Sequence, residues 1–231
     1  MTKELLIFGA GGALGSGVTE TLLKKDYDQI YLFGSKFKEI DTNIAKVKQI
    51  VVKDLTVEEN VSEAFKLISP SKDKVFFLYS TVGGFTGGKA VWETSVDELE
   101  KMFNMNLKVS FLLAKYFSIL VSKSSSGSIC FTAAYTGIRA EANKAAYGLS
   151  KASLVHLVKS LSLEGRAINL SVNAIAPYII DTKANREWMK DFDFETVMKP
   201  KEIGELIYSI FNNYHFVTGN ILELTHRFKP L

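Results

Sequence analysis

The sequence predicts an α/β domain with a doubly wound, mainly parallel sheet of seven strands and helices on both faces. Three observations predict it. Short apolar runs alternate with segments whose apolar residues recur at helical spacing, as in successive strand–helix–strand units. The runs are continuous, which is typical of parallel strands buried on both faces. The 231 residues, 47% of them hydrophobic, suffice for a single domain over residues 1–231.

The first strand is Leu5–Phe8, and a glycine-rich turn and a helical pattern follow it. Glycine lets the main chain approach a ligand closely. The N-terminus of the next helix offers amide donors and a partial positive charge to a pyrophosphate. The segment therefore predicts a Rossmann-type dinucleotide site, against the alternative of an ordinary flexible turn. The residues of the turn are Gly9, Ala10, Gly11, Gly12, Ala13, Leu14 and Gly15.

The second strand, Gln29–Phe33, indicates which nucleotide to expect. Folds that bind NAD place an acidic residue after this strand to hold the ribose 2′-hydroxyl. Here the strand is followed by Ser35 and Lys36, and Glu39 comes late. Ser35 and Lys36 can hold a 2′-phosphate instead, so NADP(H) is favoured and NAD(H) is the alternative. The other interpretation is that Lys36 is a solvated loop lysine.

The third strand, Ile50–Val52, is followed by Asp54 and Leu55. Asp54 can accept a hydrogen bond from an adenine amino group, or it can cap the helix that begins around residues 57–59. Both interpretations stay open from the sequence.

The fourth strand, Val75–Tyr79, runs into a glycine-rich loop over residues 80–88 that contains Val82, Gly83 and Gly84. Two Gly-Gly pairs after a strand let the backbone close on a flat ligand. The alternative is a mobile loop.

A long helix is predicted over Val96–Ser122, with Asn106 in its interior. Asparagine in a helix interior is mildly unfavourable and calls for a reason, such as a bend or an internal water. The last three strands are predicted at Ser128–Thr132, at Ser171–Ile175 before Pro177, and at Ile221–Leu224.

One long irregular stretch, residues 179–201, carries Trp188, Met189, Phe192 and Phe194 among charged residues. Such a segment is either a substrate lid or a packed connection, and we favour the lid. Ligands of doubly wound sheets bind beyond the carboxyl ends of the strands. The two glycine-rich segments and the ends of the fifth and sixth strands all fall at that edge.

The helical run Ala145–Leu163 carries the candidate chemistry. Tyr147 and Lys151 are four residues apart, so they share one helix face. An ammonium near a phenol favours the phenolate and lowers the pKa of the tyrosine. A tyrosine tuned towards neutral pH can give or take a proton at a carbonyl or imine. The alternative is a surface tyrosine and lysine on an amphipathic helix.

The composition argues against several other function classes. The net charge is only +3, and no long basic block supports nucleic-acid binding. The single cysteine, Cys130, predicts a reducing compartment, and the N-terminus runs straight into a strand, so we expect a cytoplasmic protein. No apolar run approaches the ~18 residues of a membrane span. The histidines His156, His215 and His226 are scattered, so no metal site is expected.

In their order along the chain, these motifs resemble the short-chain dehydrogenase/reductase family. In that family the tyrosine protonates the reacting oxygen or nitrogen, the lysine holds the nicotinamide ribose and lowers the tyrosine pKa, and the helix asparagine binds a water in a proton relay. The resemblance implies these roles for Tyr147, Lys151 and Asn106. It spans Leu5 to about Leu224 and rests also on Val172-Asn173. The implied cofactor-binding residues are Gly9, Gly11, Gly12, Ala13, Leu14, Gly15, Ser35, Lys36, Asp54, Leu55, Val82, Gly83, Gly84, Pro177 and Thr182.

The chain departs from the family pattern at the position thirteen residues before the tyrosine, where most members carry a serine and this chain has Ala134. Thr132 faces the same side of a regular strand but about 7 Å further down it, and Tyr135 points to the other face. Losing one donor at a developing oxyanion costs ~10²–10³ in rate, so a carbonyl reductase built this way should be slow. Ala13 and Tyr178 also replace family glycines.

These departures resemble the quinonoid dihydropteridine reductase branch of the family. Its substrate is an electron-poor conjugated imine, which is more easily reduced than a ketone, so activation by a tyrosine alone suffices in principle. The branch carries an acidic residue after the second strand and prefers NADH, whereas this chain has Ser35 and Lys36. The similar segments are residues 12–16 and 82–88, together with Asp181-Thr182, Asn185-Arg186, Met189 and Asp191-Phe192.

The resemblance implies an NAD(P)H-dependent oxidoreductase that reduces a conjugated C=N or C=O group of a small molecule, with Tyr147 as proton donor. One alternative is a general carbonyl or alcohol dehydrogenase of the same family, in which water replaces the serine. The other is a catalytically silent nucleotide-binding protein. Relatives pair through the long helix and the Tyr147 helix, so we expect a homodimer or homotetramer.

Overall fold

The computed structural model describes residues 1–37 and 45–228, so Glu39 lies outside the described residues. Over these residues the strands form one sheet in the order β3-β2-β1-β4-β5-β6-β7, and each neighbouring pair is parallel. The predicted doubly wound parallel sheet is confirmed. The strands are β1 (Thr2–Phe8), β2 (Gln29–Gly34), β3 (Val47–Val51), β4 (Lys74–Ser80), β5 (Ser126–Thr132), β6 (Leu170–Pro177) and β7 (Ile221–Leu224).

Helices cover both faces of the sheet, as predicted. Helices α2, α4 and α5 pack on one face and α1 and α7 on the other. The bounds are α1 (Ala13–Leu22), α2 (Glu58–Lys66), α3 (Val96–Phe103), α4 (Val109–Ser122), α5 (Ala145–Glu164), α6 (Lys183–Trp188) and α7 (Pro200–Asn212).

The central strand β1 shows why continuous apolar runs form these strands. Leu6 and Phe8 belong to the core under α2, α4 and α5, while Leu5 and Ile7 belong to the core under α1 and α7. All four side chains are fully buried. Because successive strand residues point to opposite faces, a strand covered on both faces needs apolar residues at every position.

Strand ends differ from the prediction by a few residues. β1 begins at Thr2 instead of Leu5, and β3 spans Val47–Val51 instead of Ile50–Val52. An apolar run marks only the buried part of a strand, whereas backbone pairing extends into polar residues at its ends. Thr2, for example, pairs in register with Lys74.

The predicted single helix over Val96–Ser122 is wrong in one respect. A π-helical turn, Asn104–Lys108, separates α3 from α4 and contains Asn106. Such a turn widens the helix locally and is frequently found at functional sites. Val96–Ser122 is the one described helical stretch that is long and apolar enough to cross a membrane, but half of its most apolar window is buried inside this structure. That burial is the pattern of a core helix.

The strand register brings the candidate site together. Phe8 at the end of β1 is level with Ser80 at the end of β4, and Ser80 is level with Phe131 of β5. The glycine turn after β1, the glycine loop after β4 and Ala134 after β5 therefore meet at one sheet edge. This is the edge at which the sequence places ligand binding.

Candidate active site

A cleft of about 510 Å³ opens at the carboxyl ends of β1, β2 and β3. Nine of the predicted cofactor-binding residues line it, namely Gly9, Gly11, Gly12, Ser35, Lys36, Asp54, Leu55, Val82 and Gly83. Further residues line the cleft that no motif in the sequence predicted, among them Lys53, Thr56 and Val109. These residues belong to none of the motifs described above, and only the folding of the chain brings them to the cleft.

The glycine turn is shaped to receive a pyrophosphate. Gly9 has a φ of +83°, which favours glycine, and a Cβ on Gly11 would lie 2.1 Å from the backbone oxygen of Lys36. A Cβ on Gly15 would lie 2.0 Å from the backbone oxygen of Gly9. Helix α1 begins directly after the turn, and its N-cap residue Gly12 lines the cleft. No acidic residue in the first turn offsets the partial positive charge of this helix N-terminus. The residues present therefore fit a dinucleotide.

Three polar side chains line the cleft at the ends of β2 and β3. Ser35, Lys36 and Lys53 are all exposed there. Two ammonium groups and a hydroxyl are a suitable set for a phosphate group. Lys53 was not predicted, because a single lysine after a strand has no distinguishing pattern.

Asp54 forms a turn of its own. Its Oδ1 accepts hydrogen bonds of 2.8 Å from both the backbone N–H and the hydroxyl of Thr56, which hold the pKa of its carboxyl below the usual value. The interpretation that Asp54 caps α2 is wrong, because Val57 occupies the N-cap position. Asp54 does line the nucleotide cleft, so a contact with adenine stays a prediction.

A second cavity, of about 330 Å³, adjoins the first, and Thr81 and Gly83 line both. Tyr147, Lys151 and Ala134 line this second cavity. Gly84 and Pro177, which were predicted as cofactor-binding, line it as well. The two spaces thus share part of their wall, and together they are called the groove below.

The remaining predicted cofactor-binding residues line neither space. Ala13, Leu14 and Gly15 form the first turn of α1 behind the glycine turn. Thr182 caps α6, and its Oγ1 accepts a hydrogen bond of 3.3 Å from the backbone of Asn185. Their proposed cofactor contacts stay predictions.

Tyr147 and Lys151 lie on the same face of α5, as predicted from their spacing. The Lys151 ammonium donates a 2.8 Å hydrogen bond to the backbone oxygen of Thr132 and lies 6.0 Å from the centroid of the Tyr147 ring. Lys151 is only 4% exposed. Strand β5 therefore fixes the lysine, and the helix fixes the tyrosine beside it.

The expected lowering of the tyrosine pKa is wrong for this structure. Burial raises the pKa of Tyr147 to about 12, and the negative charge of Glu141 adds to the increase. Burial also lowers the pKa of Lys151 to about 8. Desolvation penalises the charged form of each group and is the main cause of both shifts.

Asn106 fastens the glycine loop to α5. Its Oδ1 accepts a 2.9 Å hydrogen bond from the backbone N–H of Gly84, and its Nδ2 donates to the Gly84 oxygen and the Ser150 hydroxyl, both at 3.0 Å. Ser150 in turn donates to the backbone oxygen of Tyr147 at 2.7 Å. Both amide hydrogens of Asn106 are thus used within the protein. Its role in a water relay stays a prediction.

No serine replacement lies beside Tyr147 on β5. Ala134 is buried and has no donor. The Thr132 hydroxyl donates a 2.9 Å hydrogen bond to the Ser80 oxygen and lies 3.0 Å from the Tyr79 hydroxyl, so it is engaged with β4. The expectation that Thr132 is a poor substitute is consistent with this geometry.

Aromatic rings surround the mouth of the second cavity. The Phe85 ring lies 5.0 Å from the Tyr147 ring and 6.1 Å from the Trp188 ring, measured between centroids. Trp188 is carried there by α6, inside the predicted lid segment, and it is 67% exposed. Trp188 was expected among the lid aromatics. Phe85 was named only within the segment 82–88, and Thr136 and Lys144 were not predicted, although all three line the cavity.

Comparison with known proteins shows the family of the chain. The sequence model of the family described as short chain dehydrogenase matches residues 3–193. The chain belongs to the short-chain dehydrogenase family. It is therefore an NAD(P)-dependent oxidoreductase that acts on a small molecule.

Two reductases with different substrates are similar in sequence to this short-chain dehydrogenase. A dihydropteridine reductase of Dictyostelium discoideum is 27% identical over 210 residues, which cover 90% of this chain and 87% of that protein. A 3-oxoacyl-(acyl-carrier-protein) reductase FabG of Rickettsia typhi is 24% identical over 231 residues, which cover 96% of this chain and 95% of that protein. The structure described as ElxO with NADP bound matches with a TM-score of 0.86 at 23% identity, covering 97% of this chain and 98% of that one. That structural match supports the fold.

Proposed function

We propose that this short-chain dehydrogenase reduces a conjugated C=N or C=O group, with a quinonoid dihydropterin as the leading candidate substrate. The observation that carries the proposal is the pairing of Tyr147 and Lys151 in a cavity whose wall has Ala134 in place of a hydroxyl donor. An electron-poor conjugated imine needs less activation than a ketone. A single proton donor is therefore sufficient activation for a conjugated imine but not for rapid reduction of a ketone.

In this proposal the residues of α5 hold and move a proton. The bound reduced nicotinamide supplies the hydride. The Tyr147 hydroxyl gives its proton to the substrate nitrogen or oxygen, and Lys151 stabilises the resulting phenolate and holds the nicotinamide ribose. Burial holds the pKa of Tyr147 near 12, so the phenol is protonated at neutral pH. A protonated phenol is the form that reduction requires.

The test is to follow the oxidation of NADPH and of NADH with quinonoid dihydropterin as acceptor. We expect turnover with at least one nucleotide. Absence of turnover with both, in a protein that still binds nucleotide, would contradict the pterin assignment. It would also favour the alternative of a catalytically silent nucleotide-binding protein.

We further propose that NADP(H) is the preferred cofactor, held at its 2′-phosphate by Ser35 and Lys36 with Lys53 beside them. Lys36→Ala is expected to raise KM for NADPH by about tenfold or more, because a charge-assisted hydrogen bond to phosphate is lost. KM for NADH should change little. Lys24→Ala, at an exposed lysine after α1, is the control. Equal changes in KM for both nucleotides would contradict the assignment.

The second candidate function is a general carbonyl or alcohol dehydrogenase, supported by relatives such as the FabG reductase. Ala134→Ser separates the two. If the natural substrate is a ketone, restoring the donor should raise kcat/KM by up to about 10²-fold. If it is a conjugated imine, the change should be less than about threefold. Both rates are measured by nicotinamide absorbance, on variants with unchanged Tm.

A homodimer or homotetramer is also proposed. Helices α4 and α5 leave large apolar side chains exposed, namely Phe111, Ile119, Leu149 and Leu163. Large exposed apolar patches mark interaction sites in general. Residues 179–201 are proposed as a substrate lid, since Ile179, Ile180, Asn185 and Trp188 line the second cavity.

A further inference from the structure

Three polar side chains form a cluster on the wall of the second cavity. Glu141 accepts a hydrogen bond from the Thr136 hydroxyl at Oε2 and a 2.8 Å hydrogen bond from the Lys144 ammonium at Oε1. Thr136 and Lys144 line the cavity beside Tyr147. None of these three residues belongs to the motifs that identify the family in this chain. The side chains of Glu141 and Lys144 are only 24% and 28% exposed, so the ion pair is sheltered.

The carboxylate of Glu141 determines which atoms the other two groups can offer to a ligand. The Thr136 hydroxyl has one hydrogen, and it is given to Glu141, so its oxygen lone pairs remain as acceptors. The Lys144 ammonium has three hydrogens, of which one goes to Glu141, so donors remain. Because one carboxylate holds both groups, an acceptor and a charged donor lie side by side.

The cluster is held firmly against the catalytic helix. Lys144 occupies the N-cap position of α5, three residues before Tyr147. The backbone oxygen of Asn143 accepts a 2.8 Å hydrogen bond from the N–H of Gly88, which ties the glycine loop to this segment. A Cβ on Gly87 would lie 3.4 Å from Lys144 Cγ and 2.9 Å from the Phe85 ring, so the loop packs closely on the lysine stem. The negative charge of Glu141 raises the pKa of Tyr147, which agrees with the closeness of the cluster to α5.

We propose that Lys144 and Thr136 bind the substrate by a cyclic amide edge, in which a ring carbonyl accepts from Lys144 and the adjacent ring N–H donates to Thr136. The proposal rests on the proposed function, since it names the substrate class of the same cavity. Glu141 is a positioning residue: it orients the pair without touching the substrate. The substrate is thus a planar conjugated ring with adjacent C=O and N–H groups.

The test compares two planar ligands that differ at this edge. 6,7-Dimethylpterin carries the amide edge, and 2,3-dimethylquinoxaline has the same two-ring outline without it. Dissociation constants are measured by calorimetry with the NADP⁺-loaded enzyme. Lys144→Met should weaken pterin binding by about tenfold or more, since a hydrogen bond from a charged donor is lost, and should change quinoxaline binding by less than about threefold. Thr136→Val should act in the same direction.

Lys66→Met is the matched control. Lys66 and Glu63 form an ion pair at the same three-residue spacing as Lys144 and Glu141. Both side chains lie on the exposed side of α2, outside the groove. Glu141→Gln should reduce the preference for pterin over quinoxaline, which a purely structural role would not do.

The proposal is overturned if Lys144→Met weakens both ligands equally or weakens neither. It is also overturned if the unaltered enzyme does not prefer the pterin. Because these measurements involve no hydride transfer, they are independent of the proposed reaction. Selective binding without turnover would support the amide-edge site and contradict the reductase assignment. Turnover of the quinonoid dihydropterin without selective binding of the pterin would support the reductase assignment and contradict the amide-edge site.

Discussion

Tyr147→Phe is expected to lower kcat by about 10²–10⁴-fold, the contribution typical of a positioned general acid. The substitution removes the hydroxyl and keeps the ring, which packs on Phe85. Substrate and nucleotide binding should therefore persist. The measurement is steady-state oxidation of reduced nicotinamide together with the Kd of the nucleotide.

Tyr208→Phe is a suitable control for this prediction. Its hydroxyl donates a 2.6 Å hydrogen bond to Asp26, remote from the groove. Loss of that hydroxyl should leave kcat unchanged. If Tyr147→Phe binds nucleotide normally and turns over every accepted substrate at the original rate, then Tyr147 is not the proton donor and the proposed mechanism is wrong.

Gly83→Ala is expected to lower kcat/KM by about 10²-fold, because small displacements of positioned catalytic groups are costly. A Cβ at this position would lie 2.6 Å from Oδ1 of Asn106 and 3.1 Å from Nζ of Lys151. Asn106 is held by three hydrogen bonds and cannot move without releasing Gly84 or Ser150. The added methyl should therefore displace the glycine loop or the lysine, and both line the groove.

Gly84→Ala provides the comparison. A Cβ there would lie 2.5 Å from Cε of Met105, which is the tip of a flexible side chain. Met105 can rotate away, so we expect kcat/KM to stay within about threefold of the original value. Equal losses in the two variants would show that the loop tolerates no side chain at all, and would contradict a specific role for the Asn106 and Lys151 contacts.

The fold was predictable because the central strands bury both faces, whereas the edge strands β3 and β7 are only partly buried. Continuous apolar runs therefore locate the central strands. The edge strand β7 was also predicted with its observed bounds, Ile221–Leu224, from its short apolar run after a turn. The π-helical turn at Asn104–Lys108 was not predictable, because the apolar pattern continues through it. Only the unfavourable placement of Asn106 indicated that the helix needed a reason to depart from regularity.

The site was predictable where a motif carries it and not where the fold creates it. The spacing of Tyr147 and Lys151 was enough to single them out, but it did not predict their pKa values. Spacing shows which groups lie close together and does not show how deeply they are buried. Phe85, Thr136 and Lys144 reach the cavity from a loop and from the segment before α5. Their placement depends on how the glycine loop packs against that segment, which no local pattern encodes.

The two parts of the groove draw their walls from different parts of the chain. The nucleotide cleft is lined mainly by residues 9–56, and the second cavity by residues 81–188, with Thr81 and Gly83 common to both. Substitutions that alter cofactor preference and substitutions that alter substrate choice therefore fall in separate stretches of the gene. Cofactor preference can therefore change by mutation or recombination while substrate choice is retained, and the reverse also holds. Only the short segment after β4 lines both spaces, so a substitution there affects both properties.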